Sequence, residues 1–239
     1  MSVWDALRMV GAMARVTAPS LVDLVRGDLD RATVDERTKW FGRRIVELLD
    51  IRLTTHGAER VPADRSYVYM SNHQSHVDIP ILYATLPSRT IRMIGKEELF
   101  KIPLWGRGLR AAEFISVDRS NHQRAMRSIE RAGQLVRDGV SIYLAPEGTR
   151  SRDGSIGPLK KGGFHLAQAT GAPIVPVAIR GTINIMPRGS RSAEPGQSVE
   201  VTIVSPIPVE GRDLADLIAE VEVFLRLHVE GPTRGARGN

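Results

Sequence analysis

Cysteine is missing from all 239 residues, and with it go disulfides, thiolate nucleophiles and Cys-ligated zinc or iron–sulfur centres. Aromatic residues are scarce at 5%, and no finger, ribonucleoprotein-type or basic-zipper pattern accompanies the net charge of +6, which speaks against nucleic acid. No segment approaches the ~18 uninterrupted apolar residues of a membrane-spanning helix. The N-terminal stretch is a poor signal peptide, because Asp5, Arg8 and Arg15 interrupt it and no clear cleavage site follows. No G-x-S-x-G elbow is present either, so a covalent hydrolase has little support. Two nucleotide-loop patterns fail on context. Gly106-x-Gly108-x-x-Ala111 follows the Pro-containing FKIPLW rather than a strand, and Gly157 to Gly162 continues with Gly163-Phe164 where a P-loop needs Lys and Ser/Thr.

What is present is an ordinary globular composition, 42% hydrophobic and 25% charged, long enough for one large domain or one domain with a small accessory element. The basic balance, with a pI near 10.0, favours anionic partners such as phosphate ligands or an anionic membrane. In the first helix the charges Asp5, Arg8 and Arg15 share an arc of roughly 80°, leaving a broad apolar face suited to a membrane interface or to packing on a core. A second helix is expected from about Val34 to Asp50, with Phe41, Ile45, Leu48 and Leu49 on one side and Arg37, Lys39, Arg43 and Arg44 on another. Residues 17–32, containing Pro19 and Gly27, would join the two into an amphipathic hairpin.

From about residue 51 the pattern changes to strands (66–71, 90–95, 114–117, 141–145, 174–180 and 199–204) alternating with helices (77–86, 121–138, 161–170 and 213–229). The expected class is α/β: a mixed, largely parallel sheet flanked by helices, with the hairpin at its N-terminus. The expected organisation is a membrane-docking hairpin over 1–50, an α/β domain over 51–230 and a flexible tail over 231–239.

Ligands of open α/β sheets bind beyond the carboxyl ends of the strands. Three polar clusters fall there: S71-N-H-Q-S-H-V-D78, V117-D-R-S120 and A145-P-E-G-T-R-S-R-D-G154. The first admits a metal site, a catalytic base with its orienting acid, or a polar turn. The two histidines stand at i, i+3 rather than the i, i+4 of helical zinc sites. For acid–base work His73 must lie in the strand-to-helix turn and Asp78 near the first helical turn, its carboxylate folded back onto the imidazole. In the third cluster, backbone N–H groups around Gly148 with Thr149 and Arg150 suit a phosphate. Arg119 adds a fork-shaped donor, and Glu147 could accept from a hydroxyl or hold an arginine. A surface turn is the alternative.

N72-H73-Q-S-H-V-D78 resembles the N-H-x4-D signature of the glycerolipid acyltransferases, the 1-acylglycerol-3-phosphate O-acyltransferase family, and P146-E-G-T-R-S151 resembles their second hallmark block. V117-D-R119 and I174-V-P-V177 are similar to the two remaining blocks, and L159-K-K-G-G-F164 to the stretch after E-G-T-R. The chain departs from the pattern at Ala145, where an aromatic is common, and at Ala112-Glu113, where the arginine block usually begins with glycine. The resemblance implies His73 as general base and Asp78 as its orienting acid. Arg119, Glu147, Gly148, Thr149 and Arg150 would hold the glycerol-phosphate part of the acceptor, with Pro176 in a wall of the site. It implies an acyl-CoA or acyl-carrier-protein co-substrate and no cofactor, a lysophospholipid acceptor, and a peripheral or monotopic place on the cytoplasmic face of a membrane. Rival readings are another acceptor (glycerol 3-phosphate, another lysophospholipid or a hydroxyl-bearing lipid), a non-catalytic protein binding anionic lipid, and a hydrolase in which His73 activates water.

Overall fold

A computed structural model describes residues 3–118, 121–190 and 192–231. Arg119 and the expected tail beyond Gly231 lie outside the described residues. The N-terminal hairpin consists of α1 (Val3–Arg26) and α2 (Arg31–Leu48). The expected joining segment is much shorter than 17–32, because α1 continues through Pro19 to Arg26. Proline removes one helical N–H. Here Pro19 sits on the exposed side, where water can serve the freed carbonyl, and Ser20 Oγ donates to Val16 O at 2.7 Å. α2 begins at Asp30, whose side chain accepts from Thr33 N at 2.8 Å, an N-cap that starts the helix three residues ahead of its apolar pattern.

The described residues form seven strands: β1 (Arg52–His56), β2 (Val68–Ser71), β3 (Ile91–Lys96), β4 (Ile115–Val117), β5 (Ser141–Leu144), β6 (Ile174–Arg180) and β7 (Ser198–Ile203). They form one sheet of order β1-β7-β6-β2-β5-β3-β4. β6 and β7 pair antiparallel, and every other neighbouring pair is parallel. The sheet is therefore mixed and mostly parallel. Strand β1 was not anticipated: its RLTTH is nearly all exposed, with only Leu53 turned toward the core.

Side chains of β2, and of Tyr67 just before it, alternate between two cores, as the pleat requires. Tyr67 and Tyr69 pack with Ile45 and Leu49 of α2 and with Ile81 and Leu82 of α3 (Asp78–Thr85). Val68 and Met70 pack on the opposite face, under α6 (His122–Arg137), α7 (Gly162–Thr170) and α8 (Leu214–Val229). Burial on both faces explains why these strands read as near-continuous apolar runs. Two short helices, α4 (Glu97–Lys101) and α5 (Trp105–Ala111), follow β3 and close one end of the hairpin's core. α2 lies so close to α3 that a Cβ on Gly42 would stand 2.5 Å from Pro80 O. Arg37 ties the hairpin together, donating to Ser20 Oγ at 2.9 Å and pairing with Asp23.

Candidate active site

Strand β2 ends at Ser71 and the chain turns into α3 at Asp78, so the intervening residues lie at the carboxyl edge of the central strand. The turn is held mainly by one carboxylate. Oδ2 of the fully buried Asp78 accepts from Gln74 N at 2.8 Å and Ser75 N at 2.9 Å, and lies 2.7 Å from His73 Nδ1. These contacts fold the acid back across five residues and fix the ring with Nδ1 as its donor. Among the described residues Nε2 has no partner, and the His73 side chain is 22% exposed, so this nitrogen remains for a ligand. Asn72 anchors the start of the turn, its amide donating to Ile179 O and accepting from Ile179 N, both at 2.8 Å.

Because β5 lies beside β2, the loop after β5 packs against this turn. Glu147 accepts the N–H of His73 through Oε1 and that of Gly157 through Oε2, each at 3.0 Å. Ser151 N donates to His73 O at 2.7 Å, and Gln74 Nε2 to Gly154 O at 3.0 Å. The peptide carrying the imidazole is thus gripped on both its N–H and its carbonyl. Glu147, expected to face an acceptor hydroxyl or an arginine, has both oxygens engaged by main chain. Burial raises its pKa above the ordinary 4.5, against the lowering effect of the Gly157 and His73 N–H groups.

Gly148 adopts φ +72°, a left-handed conformation that glycine takes without strain. Its N–H, expected to meet an anion, closes a turn onto Ala145 O at 3.0 Å. Thr149 is exposed. Arg150 lies close enough to Asp78 and His76 to act on both electrostatically, and its Nη1 is buried without a hydrogen-bond partner. Desolvation and then the Arg188 guanidinium pull the Arg150 pKa down. At His76, desolvation followed by Arg150, His73 and Lys96 lowers the pKa, which keeps that ring neutral at pH 7. Two like-charged arginines beside an orphaned donor mark a place where an anion would be welcome. Lys96 and Arg188 were not singled out in the sequence, since each is an ordinary cation far from the motifs along the chain. Pro176 lies buried in β6, paired in register with Met70. Among the described residues no three His, Asp or Glu side chains gather as metal ligands.

An apolar cavity of about 260 Å³ starts beside this edge at Ile79, next to Asp78, and runs between the hairpin, α3, α4, α5 and β3. The site therefore combines an oriented base, cationic groups and an apolar recess, with no built-in covalent nucleophile.

A family model described as Acyltransferase matches residues 52–180, more than half of the sequence, and the chain belongs to this family of acyltransferases. It is 38% identical over 159 residues to a chloroplastic 1-acyl-sn-glycerol-3-phosphate acyltransferase of Brassica napus, covering 66% of this chain and 46% of that one. It is 34% identical over 165 residues to the human 1-acyl-sn-glycerol-3-phosphate acyltransferase alpha, covering 69% and 58%. The chain thus spans about half the length of the curated relatives it matches. The crystal structure of the 1-acyl-sn-glycerophosphate acyltransferase PlsC of Thermotoga maritima superposes with a TM-score of 0.82 at 29% identity, over 99% of this chain and 97% of that one.

Proposed function

We propose that this protein transfers a fatty acyl group from a thioester carrier, acyl-CoA or acyl-carrier protein, to the free hydroxyl of 1-acylglycerol 3-phosphate, forming phosphatidic acid. The observation that carries the reading is His73, oriented by a buried carboxylate on which Arg150 also acts, in a turn that leads through Ile79 into the wall of an apolar cavity. A thioester is reactive enough to need no covalent nucleophile from the protein. The acceptor hydroxyl has a pKa far above the ~6.5 of imidazole, so its proton must pass to His73 Nε2 as the C–O bond forms. The electron pair of that O–H bond becomes the new C–O bond, the thiolate leaves, and the imidazolium returns a proton to it. Asp78 stabilises the imidazolium.

In this reading Arg150 and Arg188 hold the acceptor phosphate, with Arg119 as a further donor and Lys96, Thr149 and neutral His76 nearby. Glu147 and Gly148 shape the loop that grips His73. The cavity takes the donor chain, each buried methylene contributing ~0.8 kcal/mol. Among the described residues no helix is long and apolar enough to cross a membrane. The hairpin instead exposes Val10, Met13, Val22, Leu24 and Val25, and Leu99, Ile102 and Leu104 stand out around α4 and α5. Apolar side chains among many arginines suit the interface of an anionic membrane, where a lysophospholipid acceptor resides.

The test is thiol release from palmitoyl-CoA with and without lysophosphatidic acid in anionic vesicles, products identified by mass. The reading expects release only with acceptor, and phosphatidic acid as product. Release without acceptor would make the protein a hydrolase, and preference for glycerol 3-phosphate in parallel assays would reassign the acceptor.

A further inference from the structure

Across the sheet from the hairpin, α6 carries a charged surface that the proposed chemistry does not use. Ile129, Ala132, Leu135 and Val136 turn inward against the sheet and α7. The helical period then sets Arg124, Arg127 and Arg131 along one outward stripe, with Arg137 on its far flank. All four arginines are exposed, and along α6 they are offset by a single carboxylate, Glu130. Arg124 pairs with Asp118 at 3.3 Å and Arg137 donates to Gln134 at 3.0 Å, while the Arg127 side chain has no partner among the described residues.

This surface is continuous with the candidate active site. α6 follows β4 and α7 follows the loop after β5, so both helices start at the carboxyl edge of the sheet, where His73 lies. A Cβ on Gly162 would stand 3.8 Å from Ile129 Cδ1, which puts the start of α7 beside the second turn of α6. Lys160 and Lys161, both exposed, come immediately before it. A Cβ on Gly148 would meet Lys160 Nζ at 3.1 Å, so this ammonium lies over the loop that grips His73. The cations therefore run outward from the site along α6, where Arg124 to Arg137 span about 20 Å of helix.

We propose that the outer face of α6, with Lys160 and Lys161, is the docking surface of an acidic acyl-carrier protein that delivers its thioester to His73. This rests on the acyltransferase reading and names the donor within it. Charge complementarity selects the partner. A strip of cations this long exceeds the phosphates of a single nucleotide, so it fits the acidic flank of a folded protein better than it fits CoA. A lipid surface fits less well, because interfacial elements insert apolar side chains beside their charges. Such side chains stand out on the hairpin and around α4 and α5, whereas among the described residues α6 exposes one large apolar side chain, Met126. α6 also covers the face of the sheet opposite the hairpin. A carrier docked there reaches the site from the aqueous side while the hairpin engages the membrane.

The experiment measures, by fluorescence anisotropy, the binding of a labelled holo acyl-carrier protein whose phosphopantetheine bears no acyl group. Wild type, the double variant Arg127→Glu/Arg131→Glu and the control Arg65→Glu are compared. Arg65 is exposed just before β2, at the opposite edge of the sheet, and all three side chains are on the surface, so the variants are expected to fold. Wild-type binding should weaken at least about tenfold as ionic strength rises from about 0.01 M to about 0.15 M and the Debye length falls from ~30 Å to ~8 Å. The double variant should bind at least about tenfold more weakly than wild type, and Arg65→Glu within about threefold of it. In acyl transfer, the double variant should raise KM for palmitoyl-carrier protein by a similar factor and leave KM for palmitoyl-CoA within about threefold of wild type. Wild type that binds no carrier protein, binding insensitive to salt or to the double reversal, or an equal rise in both KM values would each overturn the inference. So would a double variant that keeps carrier binding but loses sedimentation with phosphatidylglycerol–phosphatidylcholine vesicles, which would make the face a lipid contact. Carrier binding that depends on Arg127 and Arg131, in a protein that transfers no acyl group, contradicts the acyltransferase reading and leaves the docking face standing.

Discussion

Replacing Asp78 with Asn removes a charge while keeping the shape, and the surroundings of that carboxylate make the outcome specific. One oxygen, Oδ2, faces His73 Nδ1, Gln74 N and Ser75 N, while Oδ1 is buried with no partner at all. An amide can keep the two main-chain bonds only by placing its oxygen at Oδ2, which leaves its NH₂ at the orphaned Oδ1 position. The turn is then preserved and the ring still oriented, but the anion that stabilises the imidazolium has gone. Unit charges about 4 Å apart at an effective dielectric near 20 attract by about 4 kcal/mol. At 1.36 kcal/mol per factor of ten, this predicts a loss of about 10³ in kcat. Loss of the base altogether should cost roughly 10²–10⁴, so the aspartate variant should resemble a histidine variant. The assay is kcat for thiol release at saturating lysophosphatidic acid, with circular dichroism as a folding control and both KM values expected within about threefold of wild type. A loss below tenfold in a well-folded variant would refute the reasoning.

Glu147→Gln offers one acceptor oxygen to two N–H groups, so one buried donor is stranded at a cost of about 1–3 kcal/mol, which lowers Tm by roughly 2–4 °C per kcal/mol in a scanning measurement. Its pH dependence has a definite sign. Burial raises the Glu147 pKa above 4.5, so its contribution to stability is present below that value and fades as pH rises through the raised one. Activity should climb over the same window, because the ionised carboxylate grips His73, and pH profiles of the Gln variant should lack this step in both quantities. Arg150→Ala and Arg188→Ala should each raise the acceptor KM about tenfold or more at nearly constant kcat, as expected for losing a charged hydrogen bond of ~1.5–3 kcal/mol; an unchanged KM removes them from the phosphate site. Gly42→Ala drives a methyl against Pro80 O and Ala84 N, main-chain atoms that cannot swing aside, and should cost about 2 kcal/mol or more in urea unfolding.

Much of this architecture was legible because the central strands are buried on both faces. Runs such as VYMS and IVPVAIR admit few other readings. β1 escaped notice because an edge strand with exposed Arg52, Thr54 and Thr55 has no apolar pattern to read. α4 and α5, of five and seven residues around Pro103, are too short to display a helical period. Pro19 misled because a proline normally ends a helix, and only its exposed placement lets α1 continue. At the site, spacing admitted the His73–Asp78 pairing as one of three readings, since both ends of the contact lie in one turn, and the resemblance to the N-H-x4-D signature singled it out. The bracing by Glu147 could not, because it depends on β2 and β5 being neighbours, an adjacency that no local pattern encodes. The same holds for Arg188 and Lys96, which reach the site only through tertiary structure.

The central claim is that the His73 imidazole takes the proton from the acceptor hydroxyl during acyl transfer. The most direct test compares phosphatidic acid formation by wild type and His73→Ala, both shown to be folded and to bind lysophosphatidic acid equally, at saturating donor. The account predicts formation of the product by wild type and a fall in kcat of roughly 10²–10⁴ in the variant; turnover within tenfold of wild type would contradict it.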